Sequence, residues 1–378
     1  MSDQFPADKF MKAILGILAV VVAAGVLRAA EIEAVVHPAE KLTHSEVVVW
    51  TPLMQAAWDE LYGGFGKPVK VVPPNPLMDL LDGFEWKAET VMPPGHWKVW
   101  AGEGTEELIK KANAEAAQMT GEAKGPFTIE PREGGRIALG LLDRNLVFQQ
   151  ALHRSGEVPL TFRAADGTKS EVRFFGVRGA GSLSFREMVR ILAYDAGSHA
   201  IQIEGDAEEA AVLYLADRPL SFGEACVRLR GWRAKELPGG YGAKLDARLH
   251  EDDDVRIPLL TLEAKTNFEQ RLAGDRFYGK PDDPWRLYKA EQRVKFMLNE
   301  KGAKVRVEVE LGVAGFGPAS PVKPPPVIPR VFHYDRPFFV FLWRRGAEWP
   351  YFGAWIGNGE VMEAFKKRQG EEEVRSLK

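Results

Sequence analysis

Between residues 299 and 342 the sequence changes character three times, and each change restricts the fold. Over residues 303–309 it alternates: Ala303, Val305, Val307 and Val309 fall on one face, and Lys304, Arg306 and Glu308 on the other. A two-residue period is that of a half-buried strand. Gly302 precedes this stretch and Gly312, Gly315 and Gly317 follow it, after which come Pro318, Pro321, Pro324, Pro325, Pro326 and Pro329. Prolines at that density fix φ and withhold N–H donors, so the segment is expected to take an extended, solvated, polyproline-like path. Pro337 is then followed by Phe338-Phe339-Val340-Phe341-Leu342, an apolar run of the length of a fully buried strand. The region predicts a strand, an exposed loop and a buried strand, in that order.

With 378 residues, 45% hydrophobic and 27% charged, the chain is globular and long enough to hold a core without covalent staples. One large domain or two ordinary ones would fit. The net charge of -3 supplies no basic field, so a nucleic-acid partner is not expected. Cys226 is the sole cysteine, which rules out an internal disulfide and suits a buried small hydrophobe.

Near the N-terminus Lys12 precedes a charge-free apolar run over residues 13–27, and Arg28-Ala29-Ala30 then offers small residues to a signal peptidase. The run is short for a membrane-spanning helix. Asp3 and Asp8 are unusual for a signal, and initiation at Met11 would give a cleaner one. Residues 1–30 are therefore read as a signal peptide or an N-terminal membrane anchor. The protein is expected to be secreted, extracellular or periplasmic, with a membrane as partner only if that segment is retained.

Further along, residues 47–50 are a short apolar strand, and Thr51-Pro52 starts a helix with Leu53, Ala56, Ala57 and Leu61 on one face, ended by Gly63-Gly64. Residues 67–94 are too rich in proline for regular elements to be assigned. A second helix is predicted over 105–119, with Glu106-Glu107 favouring its N-terminal dipole. Strands are predicted at 137–148, 160–163, 172–177, 199–203, 211–215 and 255–262, and a short helical turn at 268–272. Ser221 with Glu224 three residues on forms a capping box for a helix reaching Leu229.

In this order the elements resemble the serpin family of serine protease inhibitors, and four patterns carry the resemblance. Val49-Trp50-Thr51-Pro52-Leu53 is similar to the start of the family's buried helix. Asn145-Leu146-Val147-Phe148, then Leu160-Thr161-Phe162, Gly167, Val172 and Phe174-Phe175, resembles its run from the central sheet into the next, with phenylalanines where methionines are usual. Asn299-Glu300-Lys301-Gly302-Ala303 resembles its hinge. Asp335-Arg336-Pro337-Phe338-Phe339-Val340-Phe341, then Phe352-Gly353, resembles its C-terminal pair of buried strands.

The resemblance implies an α+β architecture, several helices packed on three mostly antiparallel β-sheets with an exposed reactive-centre loop. It implies one domain over 31–360, with the loop at about 303–331, and a charged tail over 361–378. It also implies a mechanism without a catalytic site. In serpins the loop beyond the hinge is bait for a serine protease, and once cut it enters the central sheet as an added strand and distorts the acylated protease. Carried onto this chain, the hinge is Glu300, Lys301, Gly302 and Ala303, and the inserting strand carries Val305, Val307 and Val309.

Counting forward from Glu300 by the family's usual loop length reaches Phe316, and counting back from Pro337 reaches the prolines near Pro326. Prolines resist cutting, so Phe316-Gly317 is the candidate scissile bond, and its aromatic suits a chymotrypsin-like pocket. The implied partner is thus a serine protease of that kind, and the protein is expected to be a monomer. One departure stands out: inhibitory members carry small residues past the hinge, whereas here charged residues alternate with stiff β-branched valines. Slow insertion would make the protein a substrate; a strand already in the sheet would leave the loop no spring.

Enzyme signatures are missing from the sequence. It has no His-Glu-x-x-His and no Gly-x-Ser-x-Gly, and Gly102-Glu103-Gly104 lacks a third glycine and a clear strand before it. The seven histidines are dispersed, and Glu251-Asp252-Asp253-Asp254 reads as a solvated turn more than a cation site. Neither metal nor cofactor is expected. Two alternatives stay open beside the inhibitor: a non-inhibitory serpin-like binding or structural protein, and a secreted hydrolase of unknown substrate.

Overall fold

The apolar run at residues 338–342 does become the centre of the molecule. In a computed structural model of the chain, the described residues are 32–63, 70–132, 134–195, 197–235, 247–272, 276–280, 283–286, 289–305 and 329–366. Within them the run forms β21 (Phe338–Arg344), flanked by β22 (Phe352–Ile356) and β13 (Glu209–Leu215) in a seven-stranded sheet. The sheet continues through β2 (Val47–Trp50) to β1 (Glu33–Val35) on one side, and through β12 (Ser198–Glu204) to β11 (Val189–Asp195) on the other. Only the β1–β2 pairing is parallel in this sheet.

Every residue of β2, β13 and β22 is buried, which explains why these strands read as continuous apolar runs without alternation. On one face Phe339 and Phe341 pack with Trp50, Tyr214, Trp343 and Trp355 against Phe222, Ala225, Cys226 and Leu229 of the helix Phe222–Arg233. That helix begins as its sequence predicts, with both halves of the Ser221/Glu224 capping box made. Toward the other face, Phe296 stacks on Phe352 with ring centroids 4.4 Å apart. Each fully buried phenylalanine contributes roughly 1.5–3 kcal/mol.

A second sheet takes the order β15 (Leu260–Asn267), β18 (Glu291–Asn299), β19 (Gly302–Val305), β6 (Arg144–Val147). The strand before β6 is β5 (Arg136–Leu142), which pairs with β4 (Trp97–Glu103). The helix Glu106–Thr120 links β4 to β5, capped by Thr105 and ended by Gly121 in the left-handed region, and buries Ile109, Ala112 and Ala116 against Trp100, Ile137 and Leu139. The third larger sheet runs β20 (Val331–His333), β14 (Asp254–Pro258), β10 (Phe174–Arg178), β7 (His153–Arg154). Smaller pairings join β17 (Asp283–Arg286), β16 (Arg276–Lys280) and β3 (Lys70–Val72), and join β8 (Leu160–Arg163) to β9 (Lys169–Val172). The architecture is α+β with three larger, mostly antiparallel sheets.

Several expectations are corrected. The strand predicted over 255–262 is two strands in two sheets, because the chain turns at Leu259, whose N–H donates to the Arg173 carbonyl. The strand predicted over 137–148 is two strands that take different partners, β5 pairing with β4 and β6 with β19, with Asp143 between them donating its N–H to the His96 carbonyl at 2.8 Å as the last bond of the β4–β5 ladder. A strand does precede Gly102-Glu103-Gly104, namely β4. Trp58 and Tyr62, not Ala57, join Ala56 and Leu61 on the buried side of the helix Leu53–Gly63.

Candidate functional site

The hinge predicted from sequence is a tight connection between β18 and β19. β18 alternates strictly, with Gln292, Val294, Phe296 and Leu298 buried and the residues between them facing out. At its end Asn299 pairs with Gly302, and the Asn299 side-chain oxygen accepts the Lys301 N–H at 2.9 Å, which closes the turn. The Glu300 and Lys301 carbonyls accept N–H groups from Leu152 and Phe148 at 2.8 and 2.9 Å, so the turn is tied to the chain beyond β6.

Gly302 has φ +152°, and a Cβ there would lie 2.2 Å from the Leu146 carbonyl oxygen. Only glycine lets the two backbones approach this closely. Ala303, 0% exposed, sits between Leu298 of β18 and Leu146 of β6. Lys304 follows between Met297 and Asn145, and Val305 lies in register with Arg144. Gly302, Ala303 and Lys304 therefore pair with strands on both edges. Of the residues proposed from sequence, Val307, Val309, Phe316 and Gly317 lie outside the described residues.

Beneath β6 lies a charged network that the sequence did not announce. Arg144 donates its Nε to Glu209 Oε2 at 2.9 Å and its Nη2 to Asp206 Oδ1 at 2.8 Å, and Tyr351 donates its hydroxyl to the same Glu209 oxygen at 2.7 Å. Burial pulls the Arg144 guanidinium down, but the carboxylates of Glu209 and Asp206 outweigh it and hold its pKa above the ordinary value. Burial, reinforced by the Glu209 charge, pushes the Tyr351 phenol well up. The Asp206 turn also closes the far edge of β6: Val147 N–H donates to Asp206 Oδ1 at 3.1 Å, and Asp206 N–H returns to the Val147 carbonyl at 2.9 Å. Arg144 lies inside the strand predicted over 137–148, but nothing near it in the sequence names its partners.

The acidic run at 251–254 is not a solvated turn throughout. Glu251 and Asp252 are exposed, but Asp253 is buried against Arg330, and Asp254 takes both Arg256 Nε and Nη2 at 3.1 and 2.7 Å. Burial raises the Asp254 carboxyl, but His333 and Arg256 beside it prevail and lower its pKa to about 2. Arg330 thus sits immediately before β20, bound to the same acidic run that β14 begins with. Among the described residues no group of three or more His, Cys, Asp or Glu side chains could hold a metal ion, and no helix is long and apolar enough to cross a membrane.

No protein-family model matches the sequence, and no curated protein does. Solved structures do match. Human thyroxine-binding globulin complexed with thyroxine is 12% identical with a TM-score of 0.51, over 85% of this chain and 94% of that one. Human glycosylated kallistatin is 10% identical with a TM-score of 0.50, over 84% of this chain and 92% of that one. Both are serpins. Identity this low speaks for architecture alone, and the architecture that the three sheets, the β18–β19 pair and the buried β21–β22 pair build is the serpin fold.

Proposed function

We propose that this chain is a secreted serpin-fold protease inhibitor that acts as a suicide substrate. Its loop after β19 is the bait, Phe316-Gly317 the bond offered to a chymotrypsin-like serine protease, and Val305, Val307 and Val309 the face that enters the sheet. The observation that carries the reading is the placement of Gly302 and Ala303 between β18 and β6. A strand started there is already aligned to lengthen along β18, whose inner face is apolar at Val294 and Phe296. Backbone pairing on two edges with apolar rungs beneath is the favourable step that insertion needs. The test mixes purified protein with chymotrypsin-like and elastase-like proteases. An SDS-stable covalent complex supports the inhibitor, and clean loop cleavage with active protease left over overturns it.

The same pairing favours a second reading, a non-inhibitory binding or structural protein. Strand already held in the sheet is strand that cutting cannot add. The neighbour solved with thyroxine is a binding protein on this fold. This reading predicts no rise in thermal stability after the loop is cut, and a large rise would refute it.

A further inference from the structure

We infer that Arg330 is a positioning residue for the bait loop: it fixes the point where the loop's C-terminal arm leaves the body, with Asp253 as its buried counter-charge. This rests on the bait-loop reading above. Arg330 donates its backbone N–H and Nε to Asp253 Oδ1 at 3.0 and 3.2 Å, and its Nη2 to Asp253 Oδ2 at 2.8 Å and to the Arg248 carbonyl at 2.6 Å. Its own carbonyl accepts the Asp254 N–H at 3.0 Å. Backbone and side chain of one residue are held at once.

The holder is itself held. Asp253 is 0% exposed, its Oδ2 also accepts the His250 N–H at 2.7 Å, and its carbonyl accepts the Ser182 hydroxyl at 2.9 Å. A buried carboxylate facing a forked guanidinium is stable only while both are present, and an ammonium cannot reproduce the fork.

The strand that follows is weak by comparison. β20 has three rungs, pairs in parallel with β14 alone and forms the edge of its sheet. A short parallel edge strand supplies little resistance to fraying. At its first residue the Val331 N–H donates to the Tyr194 hydroxyl at 3.1 Å. Together with the Tyr334 N–H and hydroxyl, which donate to the Arg256 and Leu213 carbonyls at 3.0 and 3.2 Å, the ion pair keeps Phe332 and Tyr334 in the core, where both are 0% exposed. The post therefore decides which bonds a protease can reach: those before residue 330 are offered, and the aromatic bonds just after it are withheld.

The experiment is limited chymotrypsin digestion of the full chain, with mass-spectrometric mapping, on the wild type, Arg330→Gln, Arg330→Lys and the paired Arg330→Leu/Asp253→Leu. The pair removes the buried charge together with the post, so it folds where a single change fails. The expected wild-type map is confined to residues 306–329. Arg330→Gln and the pair should add cuts after Phe332 and Tyr334, appearing roughly tenfold faster or more than in the wild type, because local opening sets the cleavage rate. Arg330→Lys should not restore the wild-type map. An unchanged map in Arg330→Gln and the pair overturns the inference, and so do cuts scattered over the whole chain in both, which would mean a general loss of stability. If the wild type resists cutting within 306–329, the bait-loop reading fails, while the cuts at Phe332 and Tyr334 still decide the post.

Discussion

Arg144, the register partner of Val305, donates its Nε to Glu209 Oε2 at 2.9 Å in a site where both side chains are almost fully buried. The pair couples the strand beside the hinge to the start of β13 in the central sheet. Removing Glu209 leaves the buried Arg144 charge with only the half-exposed Asp206 as partner, so Glu209→Gln should destabilise the protein by about 3 kcal/mol in denaturant titration. Asp206→Asn should cost about 1 kcal/mol or less, since Asp206 is half-exposed. Equal losses for the two would contradict this ordering.

The turn that carries Asp206 is strained. Ala207 and Glu208 have φ of 50° and 59°, a left-handed pair that glycine adopts without penalty. Ala207→Gly should therefore stabilise the protein by about 0.5–1 kcal/mol, read as a rise in Tm. A fall in Tm would show that the alanine methyl contributes more than the strain removes.

Histidine burial sets the response to acid. Burial first, then the positive charges of Arg336 and His333, lower the His199 pKa to about 3. The folded ring stays neutral where an unfolded histidine takes up a proton, below about pH 6.5, so stability falls as pH drops from 6.5 toward 3. His199 alone should remove about 2 kcal/mol by pH 5. His37, lowered to about 4 by burial, acts in the same direction. Urea unfolding at pH 7.5 and pH 5 measures the loss, and His199→Leu should flatten the curve; an unchanged slope in that variant would exclude His199 as its source.

The hinge offers the sharpest test of insertion. Ala303 is closed in between Leu298 and Leu146. Ala303→Glu would bury a charge with no partner there, so β19 should leave the sheet. If insertion drives function, this variant should be cut at the wild-type rate yet show no rise in Tm after cutting. A variant that still gains stability would place the inserting strand elsewhere.

Gly302→Ala probes the same place by sterics alone. A Cβ 2.2 Å from the Leu146 oxygen forces β19 and β6 apart, and the variant should lose about 1–3 kcal/mol. Loss of hydrogen-exchange protection at Phe148 and Leu152, which bond to the turn, would confirm that the damage is local.

Local chemistry determined much of this protein. The Ser221/Glu224 capping box, the Thr105 cap and the unbroken apolar run of β21 act through neighbours in sequence, and each lies in an element predicted from sequence. The order of those elements was enough to suggest the fold. Long-range pairing was not legible in the same way. Nothing near Leu259 in the chain announces that one apolar run will divide between two sheets, since the partners that divide it lie at Arg173 and in β18. The alternation of β18 was present in the residues yet became meaningful only as the wall of the hinge. The acidic run at 251–254 reads as solvated until Arg330, far away in sequence, brings it a counter-charge, and Arg144 has no meaning without Glu209. The alternation after Gly302 predicted a strand, and Gly302–Val305 form one; only the tertiary structure decided that these residues lie between two other strands, because an edge is paired or open according to what the rest of the chain brings beside it.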